Sequence, residues 1–166
     1  VQQHLGMITV ESVVGRETIF NLYFPAVDQL QKEWGANQEF ALQRGSERIL
    51  YVDDDEMIAE LNERILSEMG YQVTTMTDSV EALKLFSENA NSYDLVMTDQ
   101  AMPELTGIEL IQKIKMLRLE IPTILCTGYS SKVNEEEARK MGISAFMLKP
   151  FSSQELSQVI RGVLGE

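Results

Sequence analysis

The chain has little of what marks an extracellular, membrane or nucleic-acid-binding protein. Its single cysteine, Cys126, excludes a disulfide within the chain. Only 14 Lys and Arg stand against 26 Asp and Glu, and the formal net charge of −12 leaves no basic patch for a phosphate backbone. No apolar run reaches the roughly 18–20 residues that cross a bilayer, and the N-terminus lacks the features of a secretory signal. We therefore predict a cytoplasmic protein with no membrane segment and no nucleic-acid partner.

The composition is that of a folded globular protein. Hydrophobic residues make up 44% and charged residues 24% of the 166 positions, which are ordinary values for a soluble domain. The length suits one domain of about 100–150 residues with a short appendage. Cys126 follows two aliphatic residues, which indicates a small buried hydrophobic side chain rather than a nucleophile.

Five predicted strands alternate with helical segments from Arg48 onward. Such alternation indicates right-handed crossovers and a parallel sheet covered by helices on both faces. The number of repeats favours a flavodoxin-like α/β fold, (βα)5, with strand order 2-1-3-4-5. The predicted strands are 48–53, 71–75, 94–98, 121–126 and 144–148. Three helices are predicted to begin at a capping side chain followed three residues later by Glu, namely Asp78 with Glu81, Thr106 with Glu109, and Ser152 with Glu155.

Polar or charged side chains follow four of these strands. They are Asp53-Asp54, Asp99, Thr127 and Lys149. In an open α/β sheet, ligands bind outside the carboxyl ends of the strands, where the strand order reverses. The predicted order sets strand 1 beside strand 3, so the carboxylates would converge there. Carboxylates, a hydroxyl and an ammonium together predict a site for a hard cation and a phosphoryl group.

Each of these residues also has a purely structural interpretation. An acidic run such as Asp53-Asp54-Asp55 often forms a solvated helix start, where carboxylates complement the helix dipole. Thr127 before glycine and Lys149 before proline are compatible with ordinary turns. Their joint placement at four strand ends favours the functional interpretation. Asp99 is then the candidate nucleophile, because a carboxylate can attack phosphorus once the transferring group is neutralised.

Four segments of the main domain carry a specific resemblance. They are Ile-Leu-Tyr-Val-Asp-Asp-Asp (49–55), Asp-Leu-Val-Met-Thr-Asp-Gln-Ala-Met-Pro-Glu-Leu-Thr-Gly (94–107), Leu-Cys-Thr-Gly-Tyr (125–129) and Phe-Met-Leu-Lys-Pro-Phe (146–151). Through them, residues 47–166 resemble the receiver domain of bacterial response regulators. The resemblance implies reversible phosphorylation of Asp99. It also implies Mg²⁺, or Mn²⁺ in its place, held by Asp53, Asp54, Asp99 and the backbone carbonyl of Ala101.

The same resemblance implies a conformational switch. Thr127 matches the family's switch threonine, and Lys149 matches its phosphoryl-binding lysine, which is followed by a cis proline bond. Phe146 matches the switch aromatic, where many receivers carry tyrosine. The output surface would be the receiver's fourth helix, fifth strand and fifth helix, and self-association through that surface stays open. The phosphodonor would be a histidine kinase or a histidine phosphotransfer protein.

The resemblance also bears on how long the phosphoryl group would persist. Ala101 and Tyr129 flank the site where some receivers carry groups that position an attacking water. We therefore expect no enzyme activity beyond slow hydrolysis of the chain's own phosphoryl group.

Residues 1–25 differ from the rest. Alternating apolar and polar residues around Gly15 predict a β-hairpin, and residues 4–25 resemble the last two strands of a histidine-kinase ATP-binding domain. Residues 26–46 are interpreted as a linker, with one short helix at 27–34 and with Trp34, Phe40 and Leu42 available for docking. The resemblance implies the C-terminal part of a hybrid histidine kinase that has no kinase activity of its own and no output domain after the last helix.

Two other functions remain open from the residues alone. A Mg²⁺-dependent phosphohydrolase with an aspartyl-phosphate intermediate would use the Asp-x-Asp spacing of Asp53 and Asp55. However, Met57 stands where such enzymes carry Thr or Val, and the best nucleophile follows the third strand. A phosphorylation-independent interaction domain is disfavoured by the intact acidic set.

Overall fold

The protein is described by a computed structural model that covers residues 5–25, 43–128 and 141–165. Its contacts divide the chain into two compact units, Val1–Glu39 and Phe40–Glu166. We call the second the main unit. The predicted helix at 27–34 and the docking of Trp34, Phe40 and Leu42 lie outside the described residues.

The first unit contains the predicted β-hairpin. Strands β1 (Met7–Val13) and β2 (Glu17–Tyr23) pair antiparallel in a register that runs from Met7↔Tyr23 to Val13↔Glu17. The turn between them places Gly15 at φ 75°, a conformation that glycine adopts without a steric penalty. One face of this hairpin is apolar and more than half exposed, and its residues are Ile8, Val10, Phe20 and Leu22.

The main unit is built on a five-stranded sheet whose neighbouring strands all pair in parallel. The strands are β3 (Arg48–Val52), β4 (Gln72–Met76), β5 (Leu95–Asp99), β6 (Thr123–Thr127) and β7 (Ala145–Leu148). Their order, β4-β3-β5-β6-β7, confirms the predicted order 2-1-3-4-5. The strand bounds differ from the prediction by one or two residues. The largest difference is at β6, which begins after Pro122, a residue with no N–H to donate to a ladder.

Helices cover both faces of this sheet, as predicted. They are α1 (Glu56–Glu68), α2 (Ser79–Glu88), α3 (Gly107–Leu117) and α4 (Ser153–Leu164), with a short 3₁₀ helix at Ala90–Ser92. Successive residues of β3 point to opposite faces and so join different cores. Ile49 and Tyr51 lie in one buried cluster with residues of α1 and α4, such as Leu66 and Ile160. Leu50 and Val52 lie in the other cluster with residues of α2 and α3.

The helix starts follow the predicted capping pattern. Thr106 and Ser152 form reciprocal capping boxes with Glu109 and Glu155, and the Asp78 side chain accepts from the N–H groups of Val80 and Glu81. The backbone and hydroxyl donors at Thr106 and Ser152 lower the pKa values of their two glutamates.

The last aspartate of the acidic run has a structural role. Asp55 caps α1 by accepting from the N–H groups of Met57 and Ile58. The interpretation of the run as a helix start therefore holds for Asp55.

Within the main unit, the residues just before β3 contact α4 and the end of α1. Gly45 N–H donates to the Met69 carbonyl at 3.2 Å, and Ser157 Oγ donates to the Gln43 carbonyl at 3.1 Å. Glu47 accepts a hydrogen bond from Arg161 of α4 at 2.5 Å. The end of the segment interpreted as a linker is thus fastened to α1 and α4.

Candidate functional site

The carboxyl ends of β3, β5 and β7 bring three of the predicted side chains together. Val52 pairs with Thr98, so Asp53 and Asp99 follow neighbouring positions on adjacent strands. Lys149 comes directly after β7. Its Nζ lies 2.5 Å from Asp53 Oδ2 and 2.6 Å from Asp99 Oδ1. The ammonium therefore bridges two carboxylates whose residues are 1% and 7% exposed.

Charge in this cluster is unbalanced. Burial by itself would lower the pKa of Lys149, but hydrogen bonds and Coulomb attraction from Asp53 and Asp99 outweigh it and raise that pKa. Lys149 therefore stays protonated and cancels one of the two formal negative charges. The remaining charge, in a site built of oxygen atoms, suits a small cation.

Backbone N–H groups hold both carboxylates in place. Asp55 N–H donates to Asp53 Oδ1 at 3.2 Å, and Ala101 N–H donates to Asp99 Oδ2 at 2.6 Å. The loop that follows Asp99 is tied to α2 through Ser79, whose hydroxyl donates to the Pro103 carbonyl at 3.0 Å. These hydrogen bonds restrain both carboxylates and the loop that follows Asp99.

Gly107 allows α3 to begin against the backbone of Asp99. A Cβ atom at this position would collide with the Asp99 carbonyl oxygen and with the Leu125 side chain. The close approach also lets the Gly107 N–H donate a hydrogen bond to the Gln100 carbonyl at 3.2 Å. The residue therefore supports the site by its lack of a side chain.

The predicted switch residues lie on β6, which is next to the strand of Asp99, and on β7, which is next to β6. Thr127 is the last residue of β6, is 5% exposed, and its carbonyl accepts from the Lys149 N–H at 2.8 Å. Phe146 of β7 is half-buried and packs on the cluster formed by Ile111, Leu125 and Ile143. Gly128 follows Thr127 directly, whereas Tyr129 lies outside the described residues. The Lys149-Pro150 bond is cis, as the resemblance implied.

The metal ligands predicted from sequence are not all gathered in one cluster. Asp54 is exposed, while Asp53 and Asp99 are buried. Within 5–25, 43–128 and 141–165, no three His, Cys, Asp or Glu side chains are close enough to hold a metal ion. The Lys149 ammonium lies between the Asp53 and Asp99 carboxylates and offsets part of their mutual repulsion. The donor set of carboxylates and the Ala101 carbonyl still fits a hard cation, because every candidate ligand atom is oxygen.

Two residues that support the site were not singled out from the sequence. The Tyr51 hydroxyl donates to Asp53 Oδ2 at 3.0 Å, and Asn62 Nδ2 donates to the Tyr51 hydroxyl oxygen at 2.9 Å. A polar residue four positions after Ile58, on the apolar face of α1, was the signal that could have found Asn62.

Cys126 is a free, buried cysteine that takes no part in the hydrogen bonds described above. It is fully buried, and burial raises the pKa of its thiol to about 12. This agrees with its interpretation as a small hydrophobic residue.

No helix in the described part of the chain combines the length and the apolar character needed to cross a bilayer.

Sequence comparisons find similarity to signalling proteins. Response regulator SaeR of Staphylococcus epidermidis is 36% identical over 108 residues, which cover 65% of this chain and 46% of SaeR. Sensor kinase CckA of Brucella abortus is 26% identical over 172 residues, which cover 99% of this chain and 18% of CckA. This chain thus spans less than half the length of either relative.

A solved structure and a family model complete the comparison. A response regulator receiver domain protein from Clostridium thermocellum superposes with a TM-score of 0.68 at 34% identity, covering 71% of this chain and 94% of that one. The family model described as "Response regulator receiver domain" matches residues 49–161. Because that match spans well over half of the sequence, the chain belongs to the response regulator receiver domain family.

Proposed function

We propose that Asp99 accepts a phosphoryl group from a histidine phosphodonor in a Mg²⁺-dependent reaction within a two-component phosphorelay. The observation that carries the proposal is the contact of Lys149 with both Asp53 and Asp99 at the carboxyl edge of the sheet. The contact places a candidate nucleophile, Asp99, beside the ammonium group of Lys149. It also leaves one negative charge in the site that Lys149 does not cancel. Those are the requirements of phosphoryl transfer to a carboxylate.

The transfer itself needs positioning and charge neutralisation from the chain. A carboxylate oxygen of Asp99 attacks phosphorus, the P–O bond forms as the P–N bond to the donor imidazole breaks, and the released imidazole nitrogen takes up a proton. Lys149 keeps its proton and pairs with an oxygen of the transferred group, while the Thr127 hydroxyl donates to another. Mg²⁺ held by Asp53, Asp54, Asp99 and the Ala101 carbonyl would supply further positive charge when bound.

A surface beside Lys149 supports a protein phosphodonor. A cleft of about 190 Å³ between α1 and the start of α4 is mainly apolar, and its lining includes Ile58, Leu61, Ile65, Pro150 and Phe151 together with Lys149. The Leu61 side chain is 57% exposed, and that of Met57 on the same helix is 77% exposed. An apolar helix of a histidine kinase or a histidine phosphotransfer protein could pack there, with its histidine directed at Asp99.

The phosphoryl group would then act as a switch. It adds negative charge at Asp99, which draws the Thr127 hydroxyl and opens space for Phe146 to move. Phe146 lacks a hydroxyl and would move as an apolar side chain within its cluster with Leu125. The altered surface would include β7 and α4, which are the receiver's fifth strand and fifth helix. It would also include the receiver's fourth helix, which is expected in residues outside the described part of the chain.

The N-terminal unit points to a longer parent protein. Its hairpin leaves a mostly apolar face more than half exposed, and the similarity to the sensor kinase of Brucella abortus extends over 99% of this chain. We propose that residues 1–25 are the end of a histidine-kinase ATP-binding domain, 26–46 a linker and 47–166 the receiver. This piece would have no kinase activity of its own, and it would act in the cytoplasm.

Intact-mass spectrometry after incubation with acetyl phosphate and Mg²⁺ tests the proposal. One phosphoryl adduct is expected on the wild-type chain and on Glu104→Gln, which alters an exposed carboxylate in the same loop, and none on Asp99→Asn. An adduct that survives Asp99→Asn would overturn the assignment. Sustained hydrolysis of a small phosphomonoester, abolished by Asp53→Asn, would instead support the phosphohydrolase.

A further inference from the structure

A buried hydrogen-bonded chain connects α1 to the predicted metal ligand Asp53. Asn62 Nδ2 donates to the Tyr51 hydroxyl oxygen at 2.9 Å, and that hydroxyl donates to Asp53 Oδ2 at 3.0 Å. Asn62 is 6% exposed, and Tyr51 and Asp53 are 0% and 1% exposed. The three side chains therefore interact with little competition from water.

The direction of each hydrogen bond is determined by its neighbours. The second proton of Asn62 Nδ2 goes to the Ile58 carbonyl at 3.0 Å, so the amide is anchored to its own helix. Because Asn62 donates to the Tyr51 oxygen, the hydroxyl proton is free to point at Asp53. Tyr51 therefore donates to Asp53, and Asn62 fixes the direction of that hydrogen bond.

This hydrogen bond restrains the Asp53 carboxylate. Its Oδ2 accepts from Tyr51 and from Lys149, and its Oδ1 accepts from Asp55 N–H. If Lys149 moves to a transferred phosphoryl group, the Tyr51 hydroxyl remains on Oδ2. The carboxylate then keeps its orientation at the moment when the bridging ammonium leaves.

We propose that Tyr51 and Asn62 are positioning residues that hold Asp53 in the orientation required for Mg²⁺ binding. The inference rests on the proposed function and deepens it, since neither residue touches the phosphoryl group or the metal. Mutating a residue that hydrogen-bonds to a metal ligand typically lowers metal affinity by roughly 10–100-fold. A residue that only filled the core would change stability and leave Mg²⁺ affinity as it was.

The main unit offers a matched control for removal of a buried tyrosine hydroxyl. Tyr71 is 3% exposed, and its hydroxyl accepts from Arg161 Nε at 3.0 Å, near the opposite end of the sheet. Tyr71→Phe therefore removes a comparable hydroxyl away from Asp53. The experiment is isothermal titration of Mg²⁺ into the full chain for the wild type, Tyr51→Phe, Asn62→Leu, their double variant and Tyr71→Phe. Circular dichroism confirms that each variant is folded.

We expect Tyr51→Phe to weaken Mg²⁺ binding by about 10-fold and Tyr71→Phe to leave it unchanged. Asn62→Leu should weaken binding less and have no further effect once Tyr51 is Phe, because Asn62 acts through the hydroxyl. Wild-type affinity in a folded Tyr51→Phe would overturn the positioning role, and so would equal losses in Tyr51→Phe and Tyr71→Phe.

The two proposals fail in different ways. A wild-type chain that binds no Mg²⁺ and forms no Asp99 adduct contradicts the proposed function and the positioning role together. A wild-type chain that does both, with Tyr51→Phe indistinguishable from it, contradicts only the positioning role. Should Tyr51→Phe not fold, Asn62→Leu carries the same test, and unchanged Mg²⁺ affinity in that variant would overturn the role.

Discussion

The two ends of the parallel sheet each contain a cation paired with carboxylates, partly buried at one end and buried at the other, but their charge balance differs. At the carboxyl end, Lys149 is shared by Asp53 and Asp99, so one negative charge is left over. At the amino end, within the described residues, Arg161 pairs with the carboxylate of Glu47. The first arrangement leaves negative charge for the proposed cation, whereas the two charges of the Arg161–Glu47 pair cancel.

The amino end is also closed sterically. Arg161 lies over the Tyr71 ring, with its guanidinium carbon 5.3 Å from the ring centroid. A Cβ atom on Gly45 would collide with Glu47, Arg161 and Tyr71, so the backbone there covers the ion pair. The comparison suggests different roles for the two ion pairs: the uncancelled charge around Lys149 fits the proposed binding site, whereas the Arg161–Glu47 pair fits a structural role, and we call it the structural lock.

Breaking the structural lock should give the largest effect on stability. Arg161→Met removes a buried guanidinium together with its hydrogen bonds to Glu47 and to the Tyr71 hydroxyl and its contact with the Tyr71 ring, and we expect the summed loss to lower the free energy of unfolding by about 3 kcal/mol. Arg64→Met removes an arginine whose side chain is 80% exposed and pairs with Glu68 on the surface, so its effect should stay within about 0.5 kcal/mol. Urea unfolding curves measure both. Equal urea midpoints for Arg161→Met and Arg64→Met would show that the buried ion pair contributes no more to stability than the exposed one.

Filling the space at Gly45 should give the next largest effect. Gly45→Ala forces the new methyl group against the ion pair, and we expect a loss of about 2 kcal/mol in unfolding free energy. Gly162→Ala is the control, because a Cβ on that glycine of α4 meets no atom within 4 Å. There alanine should be neutral or stabilise the helix by about 0.5–1 kcal/mol. A thermal melt in which Gly45→Ala matches the wild type would contradict the steric argument.

Mg²⁺ should distinguish the two ends directly. At about ten times its dissociation constant, the cation should raise the stability of the wild-type chain by about 1.4 kcal/mol. Asp53→Asn should abolish this gain because it removes a predicted ligand, whereas Glu47→Gln should retain it. Unfolding curves with and without Mg²⁺ give the measurement. Retention of the full gain by Asp53→Asn would place the cation elsewhere.

Acid should weaken the amino-end lock by a smaller amount. The hydrogen bond from Arg161 lowers the pKa of Glu47 from its ordinary value of 4.5. A carboxyl whose pKa is lower in the folded state contributes stability that is present above 4.5 and is lost as the pH falls through the lowered value. Because Glu47 is partly exposed, the contribution should stay below about 1 kcal/mol.

The acid effect can be measured by substituting Glu47. Glu47→Gln should flatten the acid side of the stability profile, and Glu68→Gln, on the exposed surface pair, should not. If both variants keep the wild-type profile between neutral pH and acid unfolding, the lowered pKa of Glu47 makes no contribution to stability.

The sequence predicted the carboxyl end better than the amino end. Asp53, Asp99 and Lys149 each follow an apolar strand, and parallel strands end at a common edge, so a local pattern implies their meeting. The contact of Arg161 with Glu47 joins residues 114 positions apart. In sequence, Arg161 reads as an ordinary cation in the last turn of a helix. Its partner could be identified only once α4 was packed against the start of β3.

Side-chain conformation limited the prediction within the site itself. Asp53 and Asp54 are adjacent and chemically equal in sequence, yet one is buried and the other exposed. Tyr51 is interpreted from sequence as a strand residue among aliphatic neighbours, and its bond to Asp53 depends on the pleat that turns both toward α1. Spacing predicts which face a residue takes, but not which hydrogen bond it makes there.

The burial of Cys126 has a practical consequence for testing the proposed switch. It is the chain's single cysteine, and with no exposure and a thiol pKa of about 12 it offers almost no thiolate to an alkylating reagent near neutral pH. A cysteine introduced at an exposed position, such as Leu148 at 58% exposure, would then be the only reactive thiol. A spin label or fluorophore could report on β7 during phosphorylation without first removing a native residue from the core.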